Sequence, residues 1–197
     1  KLGLHASDTA ELIFEDARVP AANLCGEQGQ GFVNAMQVLE GGRIAMAAMA
    51  VGLAQGALDQ ALRYMKQRSA FGKTLAEFNG LQGMIAEMGT EVEAARLLAL
   101  RAAALKDAGK PAKVAASMAK VFASEVAMKA ATRSLQIHGG AGYITEFPIE
   151  RIFRDAKYTD LGELHPAVQT SPTARSILLG RRAPARRPPP AKDPLLM

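Results

Sequence analysis

The amino-acid sequence predicts a mainly α-helical protein, an up-down bundle of helices preceded by a short β segment. Three observations support this fold class: apolar residues recur every three or four positions over long runs, alanine and methionine are abundant while tryptophan is absent, and the links between the runs are short. With 197 residues, 49% of them hydrophobic, the chain is long enough to bury one sizeable core.

Five helices are predicted in the following order. The first extends from about Gly31 to Gln67, the second from Glu77 to Ala108 and the third from Pro111 to about Ile137, and shorter helices cover 148–159 and 167–180. Gly109 is expected to end the second helix, because glycine adopts the positive φ found at many helix ends.

Apolar spacing predicts which side of the first two helices is buried. The expected core positions are Phe32, Met36, Leu39, Ile44, Ala48, Val51, Ala54, Leu58, Leu62 and Met65 in the first helix, and Leu81, Ile85, Met88, Val92, Ala95, Leu98 and Ala102 in the second. The glycines within the first helix weaken it, which suggests close packing against another helix or a ligand at those positions.

The sequence divides into three parts. Residues 1–27 partly alternate over Thr9–Phe14 and reach a natural strand end at Val19-Pro20, so they are expected to be the end of an incomplete β domain that needs a partner sheet. Residues 28–180 form the helical domain. Residues 181–197 are expected to be a disordered, basic, proline-rich tail.

Charge and cysteine content exclude several kinds of function. The net charge is +5, but five basic residues and one acidic residue in 181–197 account for most of it, which argues against nucleic-acid binding by the helical domain. The single cysteine, Cys25, excludes an internal disulfide and lies in no catalytic motif. The apolar stretch Ile44–Leu58 is too short and too interrupted to span a membrane.

Four joints carry polar residues and glycines that a helical bundle alone does not require. They are Glu40-Gly41-Gly42-Arg43, Arg68 to Lys73 with Gln82 nearby, Gln136-Ile137-His138-Gly139-Gly140, and Asp160-Leu161-Gly162-Glu163. An arginine beside glycines suits a polar ligand, a guanidinium with an aromatic residue at a helix junction suits a pyrophosphate and a flat ring, and a carboxylate in an apolar turn suits a general base. The plain alternatives are a surface arginine, an ordinary loop and a solvated turn. His138 has no partner at metal-ligand spacing, so no metal is expected.

In this order, the four joints resemble the acyl-CoA dehydrogenase family over nearly the whole chain to about Gly180. Glu11–Pro20 is similar to the end of the family's middle β domain, and Arg68–Lys73 is similar to the family's R-x-x-F-G-K motif. Gln136–Tyr143 is similar to the motif Q-x-H-G-G-x-G-Y, and Glu150–Lys157 is similar to the segment before the active-site turn. Four such segments in register make the resemblance specific.

The resemblance implies a reaction and its partners. Members of the family oxidise an acyl-CoA thioester to the trans-2-enoyl-CoA with FAD, in fatty acid metabolism, and pass the electrons to an electron-transfer flavoprotein. FAD contacts come partly from a neighbouring subunit, so a homodimer or homotetramer is expected. The implied location is the cytoplasm of a bacterium or the mitochondrial matrix of a eukaryote.

The resemblance also assigns residue roles. Glu163 corresponds to the catalytic base, and Arg43, with Glu40, Gly41 and Gly42, to the acyl-CoA contacts. The FAD contacts correspond to Arg68, Phe71, Gln82, Gln136, Ile137, His138, Gly139 and Gly140. Some members place the base immediately before the Arg43 equivalent; that position is Gly42 here, so Glu163 is the expected base and Glu40 a second choice.

The active-site turn departs from the family pattern. The family has Glu-Gly-Thr-(Ser/Ala)-x-x-Gln, whereas this chain has Leu164, His165 and Pro166 between Glu163 and the matching Gln169. An isobutyl side chain at 164 replaces a glycine that lies against the substrate, and Pro166 lacks an N–H donor. Alternative hypotheses are therefore a non-catalytic remnant or oligomerisation module of the same fold, or another flavin chemistry. The chain alone is expected to supply half of a site.

Overall fold

The computed structural model describes residues 1–162 and 166–178, without the side chains of residues 40, 166–169, 171 and 172. The main elements are α1 (Gly31–Gln67), β1 (Ser69–Ala70), β2 (Lys73–Thr74), α2 (Asn79–Asp107), α3 (Lys113–His138), α4 (Ile149–Leu161) and α5 (Pro166–Leu178). Short 3-10 helices cover Ala21–Asn23, Leu75–Glu77 and Gly139–Tyr143. The predicted helical bundle is confirmed, and the predicted limits of α1 are met at both ends.

Helix α3 occupies the centre of the bundle. It contacts each of the other four α-helices, and its most extensive interface is with α1. Alanine occupies half of its buried positions, whereas larger apolar residues such as Met118 and Val121 are only half-buried. Small side chains allow neighbouring helix axes to approach α3 closely, and its exposed side carries Glu125, Lys129, Thr132 and Gln136.

Helix α1 contributes a matching row of alanines. The row consists of Ala47, Ala50, Ala54, Ala57 and Ala61, which recur at three or four residues and are each 0% exposed. Val51, Leu58 and Met65 from the predicted stripe are also buried. Alanine loses no side-chain entropy in a helix, so the same residues favour the helix and permit its close packing.

The turns between helices follow recognised stop and start signals. Gly109 has φ 65°, and the N–H groups of Gly109 and Lys110 donate to the carbonyls of Lys106 and Leu105 at 3.0 and 2.9 Å, which is the Schellman ending predicted for α2. Before α2, the backbone N–H and hydroxyl of Thr74 donate to the Glu77 carboxylate, both at 2.8 Å. These bonds lower the pKa of Glu77 and cap the 3-10 helix Leu75–Glu77, which leads into α2.

Residues 1–30 contain no β-strand, so the strand predicted over Thr9–Phe14 is not formed. The physical reason is that no other strand of the described residues lies beside this segment to complete its hydrogen bonds. The first residues are nevertheless anchored on α4: the Leu4 N–H donates to Asp155 Oδ1 at 2.7 Å, and Arg154 Nη1 donates to the Leu2 carbonyl at 3.0 Å.

Some predicted core positions are exposed. Phe32 and Met36 lie at the beginning of α1, beyond the other helices of the bundle, and Ala48 faces solvent. The spacing of these residues fits the stripe, but at Ala48 the preceding residue, Ala47, is the one that is buried. Within the described residues, no helix combines the length and the apolar character needed to cross a membrane.

Candidate functional site

Two of the four joints meet in one pocket at the end of the bundle where α1 and α3 finish. The pocket has a volume of about 410 Å³. Its lining consists of Tyr64, Arg68, Leu75, Ile137, His138, Gly139, Gly140 and Ala141. Both helices present carbonyl ends here, which carry partial negative charge, so the exposed guanidinium of Arg68 supplies the pocket's positive charge.

An aromatic cluster joins α1 to α3 beside this pocket. The His138 ring stacks on Tyr64 with centroids 4.3 Å apart, and Phe147 meets both rings edge-on. His138 Nδ1 lies 2.7 Å from the Ser134 carbonyl, which only accepts, so Nδ1 carries the proton and Nε2 is the free acceptor of the neutral ring. Burial lowers the pKa of His138, and the Ser134 bond opposes that shift in part.

The glycines after α3 have different roles. Gly139 has φ 58°, a conformation that other residues adopt at a cost. A Cβ on Gly142 would lie 2.7 Å from the Leu135 carbonyl oxygen, so that position also requires glycine for the fold. Gly140 has neither constraint: it has no positive φ, and a Cβ there would meet nothing within 4 Å. The missing side chain at Gly140 therefore leaves open space in the lining of the pocket.

The remaining FAD-contact candidates lie next to the pocket. Phe71 and Gly72 form the two-residue turn of the β1–β2 hairpin, both with positive φ, and the Phe71 side chain is 96% exposed. A bulky residue held in this conformation and exposed to solvent indicates a surface that binds another group. Gln82 is exposed, and its Nε2 donates to the Ala76 carbonyl at 2.8 Å, which ties α2 to the preceding turn. Gln136 is exposed near the end of α3.

The first joint lies inside α1. Gly41 and Gly42 are half-buried, Glu40 is helical, and Arg43 is 7% exposed. Within the described residues, Arg43 Nε and Nη1 are buried and have no hydrogen-bond partner. Buried donors without partners are costly, so these two donors are available to a ligand.

The fourth joint approaches the first, although Glu163 itself lies outside the described residues. Gly162, which precedes it, packs so tightly that a Cβ would lie 2.7 Å from Met46 Cε and 3.1 Å from the Tyr158 ring. Met46 is one turn after Arg43 on α1. The chain therefore leaves α4 beside the segment of α1 that carries the buried arginine.

The structure thus separates the predicted site residues into two groups. Arg43 and Tyr64 are 21 residues apart on α1, which corresponds to about 30 Å along the helix axis. The pocket end and the Arg43 end are therefore two separate regions of the bundle within one chain. Among the described residues, no group of three or more metal-ligating side chains is placed to hold a metal ion.

Two polar features were missed by reasoning from the sequence. Tyr64 lies at a half-buried position whose role depends on stacking with His138 across the bundle. Lys120 is 0% exposed inside α3, and its Nζ donates to the Asp160 carbonyl at 3.0 Å. The only available sequence signal was a lysine within a run of alanines, and most such lysines reach solvent.

Comparison with known proteins defines the class to which this fold and pocket belong. The family model of the acyl-CoA dehydrogenase C-terminal domain matches residues 29–178. The chain therefore belongs to the acyl-CoA dehydrogenase family, whose members are flavoproteins.

Three similar proteins illustrate the match. The mitochondrial short-chain specific acyl-CoA dehydrogenase of Mus musculus is 46% identical over 183 residues, which cover 93% of this chain and 44% of that protein. The caffeyl-CoA reductase-Etf complex subunit CarC of Acetobacterium woodii is 46% identical over 86% of this chain and 45% of its own length. The structure of butyryl-CoA dehydrogenase from Megasphaera elsdenii has a TM-score of 0.88 and 47% identity, over 90% of this chain and 46% of that one. The chain spans about half the length of these proteins.

The lowered pKa of His138 predicts a pH dependence of stability. The folded chain binds the imidazole proton less readily than the unfolded chain, so this contribution is present above the ordinary pKa of 6.5 and is lost as the pH falls through that value toward the folded pKa. His138→Phe keeps an aromatic ring against Tyr64 but cannot titrate. Urea unfolding between pH 5.5 and 8 should show a weaker pH dependence in this variant.

The matched control is His5→Gln, which removes an exposed histidine and should retain the wild-type pH dependence. An equal pH dependence in His138→Phe and in the wild type would show that His138 does not titrate differently in the folded chain.

Proposed function

We propose that this protein acts in the FAD-dependent α,β-dehydrogenation of an acyl-CoA thioester to the 2-enoyl-CoA, and that this chain provides the C-terminal helical part of the site. The observation that carries the proposal is the pocket in which Arg68, at the end of α1, meets His138–Gly140, at the end of α3. A cation beside an open glycine backbone suits the phosphate groups of a dinucleotide.

The residues at the pocket fit FAD in their chemistry. Arg68 would pair with the pyrophosphate, Gly139 and Gly140 would allow it to approach the backbone, and the exposed Phe71 ring offers a flat apolar surface for the adenine. Gln82, Gln136, Ile137 and His138 complete the proposed set of contacts. When bound, the flavin supplies the acceptor for the hydride that leaves C3 of the acyl group.

The distance between the two groups of site residues supports a homo-oligomer. One chain presents the FAD pocket at one end of α1 and the substrate residue Arg43 about 30 Å away, so a flavin that reacts with the substrate is proposed to lie between the pocket of one chain and the Arg43 end of another. The proposed assembly is a dimer or tetramer in which one chain binds the adenosine part of FAD and another carries the substrate residues.

The acyl-CoA substrate is proposed to bind near Arg43. Its buried Nε and Nη1 can donate to an acyl-CoA oxygen, and Glu40, Gly41 and Gly42 flank it on α1. The Glu163 carboxylate follows the tightly packed Gly162 and would take the proton from C2 of the acyl group, while the C2–C3 double bond forms as the hydride leaves C3. Glu40 remains the second choice for the base.

Residues outside the bundle have proposed roles in assembly. Leu12, Ile13 and Phe14 are consecutive and each more than 70% exposed, which supports the proposal that residues 1–27 complete a β domain. Residues 28–180 are the helical domain and 181–197 a basic tail. The name of the relative from a caffeyl-CoA reductase-Etf complex supports an electron-transfer flavoprotein as a partner, and its proposed role here is electron acceptor. The proposed location is the bacterial cytoplasm or the mitochondrial matrix, and the name of the mouse relative describes that protein as mitochondrial.

The altered turn at Leu164–Pro166 favours a second candidate, a non-catalytic oligomerisation module of the same fold. Such a module would keep the packing of α1, α2 and α3 and would not turn over acyl-CoA. Only the first candidate predicts that an acyl-CoA substrate reduces the bound flavin.

The first test is the visible spectrum of the purified protein before and after anaerobic addition of butyryl-CoA and longer acyl-CoA thioesters. The proposal predicts bound flavin whose absorbance near 450 nm bleaches; in Glu163→Gln the flavin stays bound and bleaching is at least ~100-fold slower, because a general base contributes about that much or more. A protein that binds flavin without bleaching, or one that takes up no added FAD, would contradict the dehydrogenation and support the non-catalytic module.

Gly140 provides a test of the cofactor pocket that does not depend on turnover. In Gly140→Ala the methyl group enters open space, so the free energy of unfolding without FAD should stay equal or rise slightly. FAD affinity, measured by fluorescence quenching of the flavin, should fall several-fold because the methyl group occupies the lining of the pocket. Gly89→Ala, a glycine on α2 with similar free space, is the control and should keep the wild-type affinity. Equal FAD affinity in both variants would place the cofactor elsewhere.

Arg43 provides a test of the proposed acyl-CoA binding site. Arg43→Met removes two buried donors without partners, so the free energy of unfolding should rise by about 1 kcal/mol. Acyl-CoA binding, measured by calorimetry, should weaken ~10-fold or more because a hydrogen bond from a charged group is lost. Arg133→Met, which removes an arginine paired with Glu87 and Glu91, should lower stability slightly and leave acyl-CoA affinity unchanged. Lower stability together with unchanged affinity in Arg43→Met would contradict a substrate role.

A further inference from the structure

A buried polar layer separates α3 from α4. Ser117, Lys120 and Ser124 lie at successive turns on one side of α3, and Thr159 lies on α4; all four are 0% exposed. Ser124 and Thr159 donate to carbonyls of their own helices, at 3.0 Å to Val121 and 2.7 Å to Ala156. Lys120 instead bonds across the interface, from its Nζ to the Asp160 carbonyl at 3.0 Å. The layer therefore contains a direct polar connection between the two helices.

A fully buried lysine requires a specific reason. Removing an ammonium group from water costs several kcal/mol, and an apolar residue of similar volume is often as stable or more so at such a position. Lys120 is surrounded in sequence by Ala119 and Ala123, which belong to the apolar core. Stability of the bundle alone therefore does not explain why a lysine is placed there.

One atom that Lys120 bonds, the carbonyl oxygen of Asp160, indicates what the lysine controls. Asp160 is the second-last residue of α4, and the last four carbonyls of a helix have no partner within the helix. A cation at this end also interacts favourably with the partial negative charge of the helix terminus. The Asp160 carboxylate is bonded separately, by Lys157 at 2.7 Å. Lys120 thus caps α4 from the neighbouring helix.

The chain leaves α4 directly after this cap, between further fixed contacts. The Gly162 N–H donates to the Tyr158 carbonyl at 2.8 Å, and Gly162 then turns away from the helix with φ −63° and ψ 148°. Met46 of α1 lies against Gly162 on another side. Glu163 is the next residue. The backbone before it is therefore held by contacts from α1, α3 and α4 together.

We propose that Lys120 is a positioning residue for the carboxylate of Glu163. By bonding the Asp160 carbonyl, its ammonium fixes the end of α4 and so the point from which Glu163 projects. This inference rests on the proposed function, in which Glu163 is the base. A base acts only within hydrogen-bond reach of the proton that it takes, and a misplacement of about 1 Å can cost ~100-fold in rate.

The test compares Lys120→Met with Lys129→Met in the flavin-loaded protein. Both variants remove one positive charge from α3, but Lys129 forms a surface ion pair with Glu91. Lys120→Met should lower kcat between ~10-fold and ~100-fold while KM changes less than about threefold, because the substrate contacts are kept and the base is misplaced. Lys129→Met should match the wild type in both constants. Lys120→Gln, too short to reach the carbonyl but still polar, should behave as Lys120→Met.

A second readout does not need turnover. Hydrogen exchange of the Gly162 amide, measured by mass spectrometry on a peptide covering 158–162, should be faster in Lys120→Met than in the wild type or in Lys129→Met. If the wild-type flavin is not reduced by acyl-CoA, the proposed function fails, while this exchange comparison still decides whether Lys120 fixes the end of α4.

Several results would overturn the role of Lys120. These are a wild-type kcat in Lys120→Met, an equal loss of kcat in Lys129→Met, a rise in KM at constant kcat, or a loss of kcat without faster exchange at Gly162. Failure of both Lys120→Met and Lys120→Gln to fold would also overturn it, since the lysine would then hold the bundle as a whole and not the turn.

Discussion

The close packing of α1 against α3 is the constraint on which the rest of the structure depends. Rows of alanine at buried positions of both helices allow their backbones to approach, and α2 and α4 then pack against this pair. At one end the contact brings Tyr64 onto His138 and so closes the wall of the pocket. At the other end it places α1 and α3 on two sides of the point where the chain leaves α4. Both candidate sites are therefore consequences of one interface.

The two cationic side chains that are buried among the described residues, Arg43 and Lys120, differ in their hydrogen-bond partners. Lys120 has its charge capped by the Asp160 carbonyl, a partner that belongs to the fold itself. Arg43 has two buried donors for which the described residues provide no partner. Since a buried polar group without a partner costs stability, its retention is explained more simply by a ligand than by the fold. The difference separates a residue that organises the site from one that binds within it.

Sequence patterns predicted the helices well where large apolar residues repeat and where glycine marks an end. The limits of α1 and the Gly109 ending of α2 follow from these local signals. The same patterns could not identify the core of α3, because alanine is too common in exposed helices to indicate burial. They also placed Phe32 and Met36 in the core, since spacing defines a stripe but not whether another helix reaches it. Lys120 was missed because its burial depends on α4, and its partner Asp160 lies 40 residues later in the sequence.

The glycine run after α3 shows how a motif combines structural and functional requirements. Gly139 is needed because its φ is positive, and Gly142 because the Leu135 carbonyl leaves no room for a side chain. These two glycines would be required to end α3 in this way whether or not any cofactor were bound. Gly140 has no such requirement, yet it lines the pocket next to Arg68 and His138. Gly140, the glycine that the fold does not require, is therefore the one that faces the proposed ligand. Its position indicates that this wall of the pocket determines the affinity for that ligand.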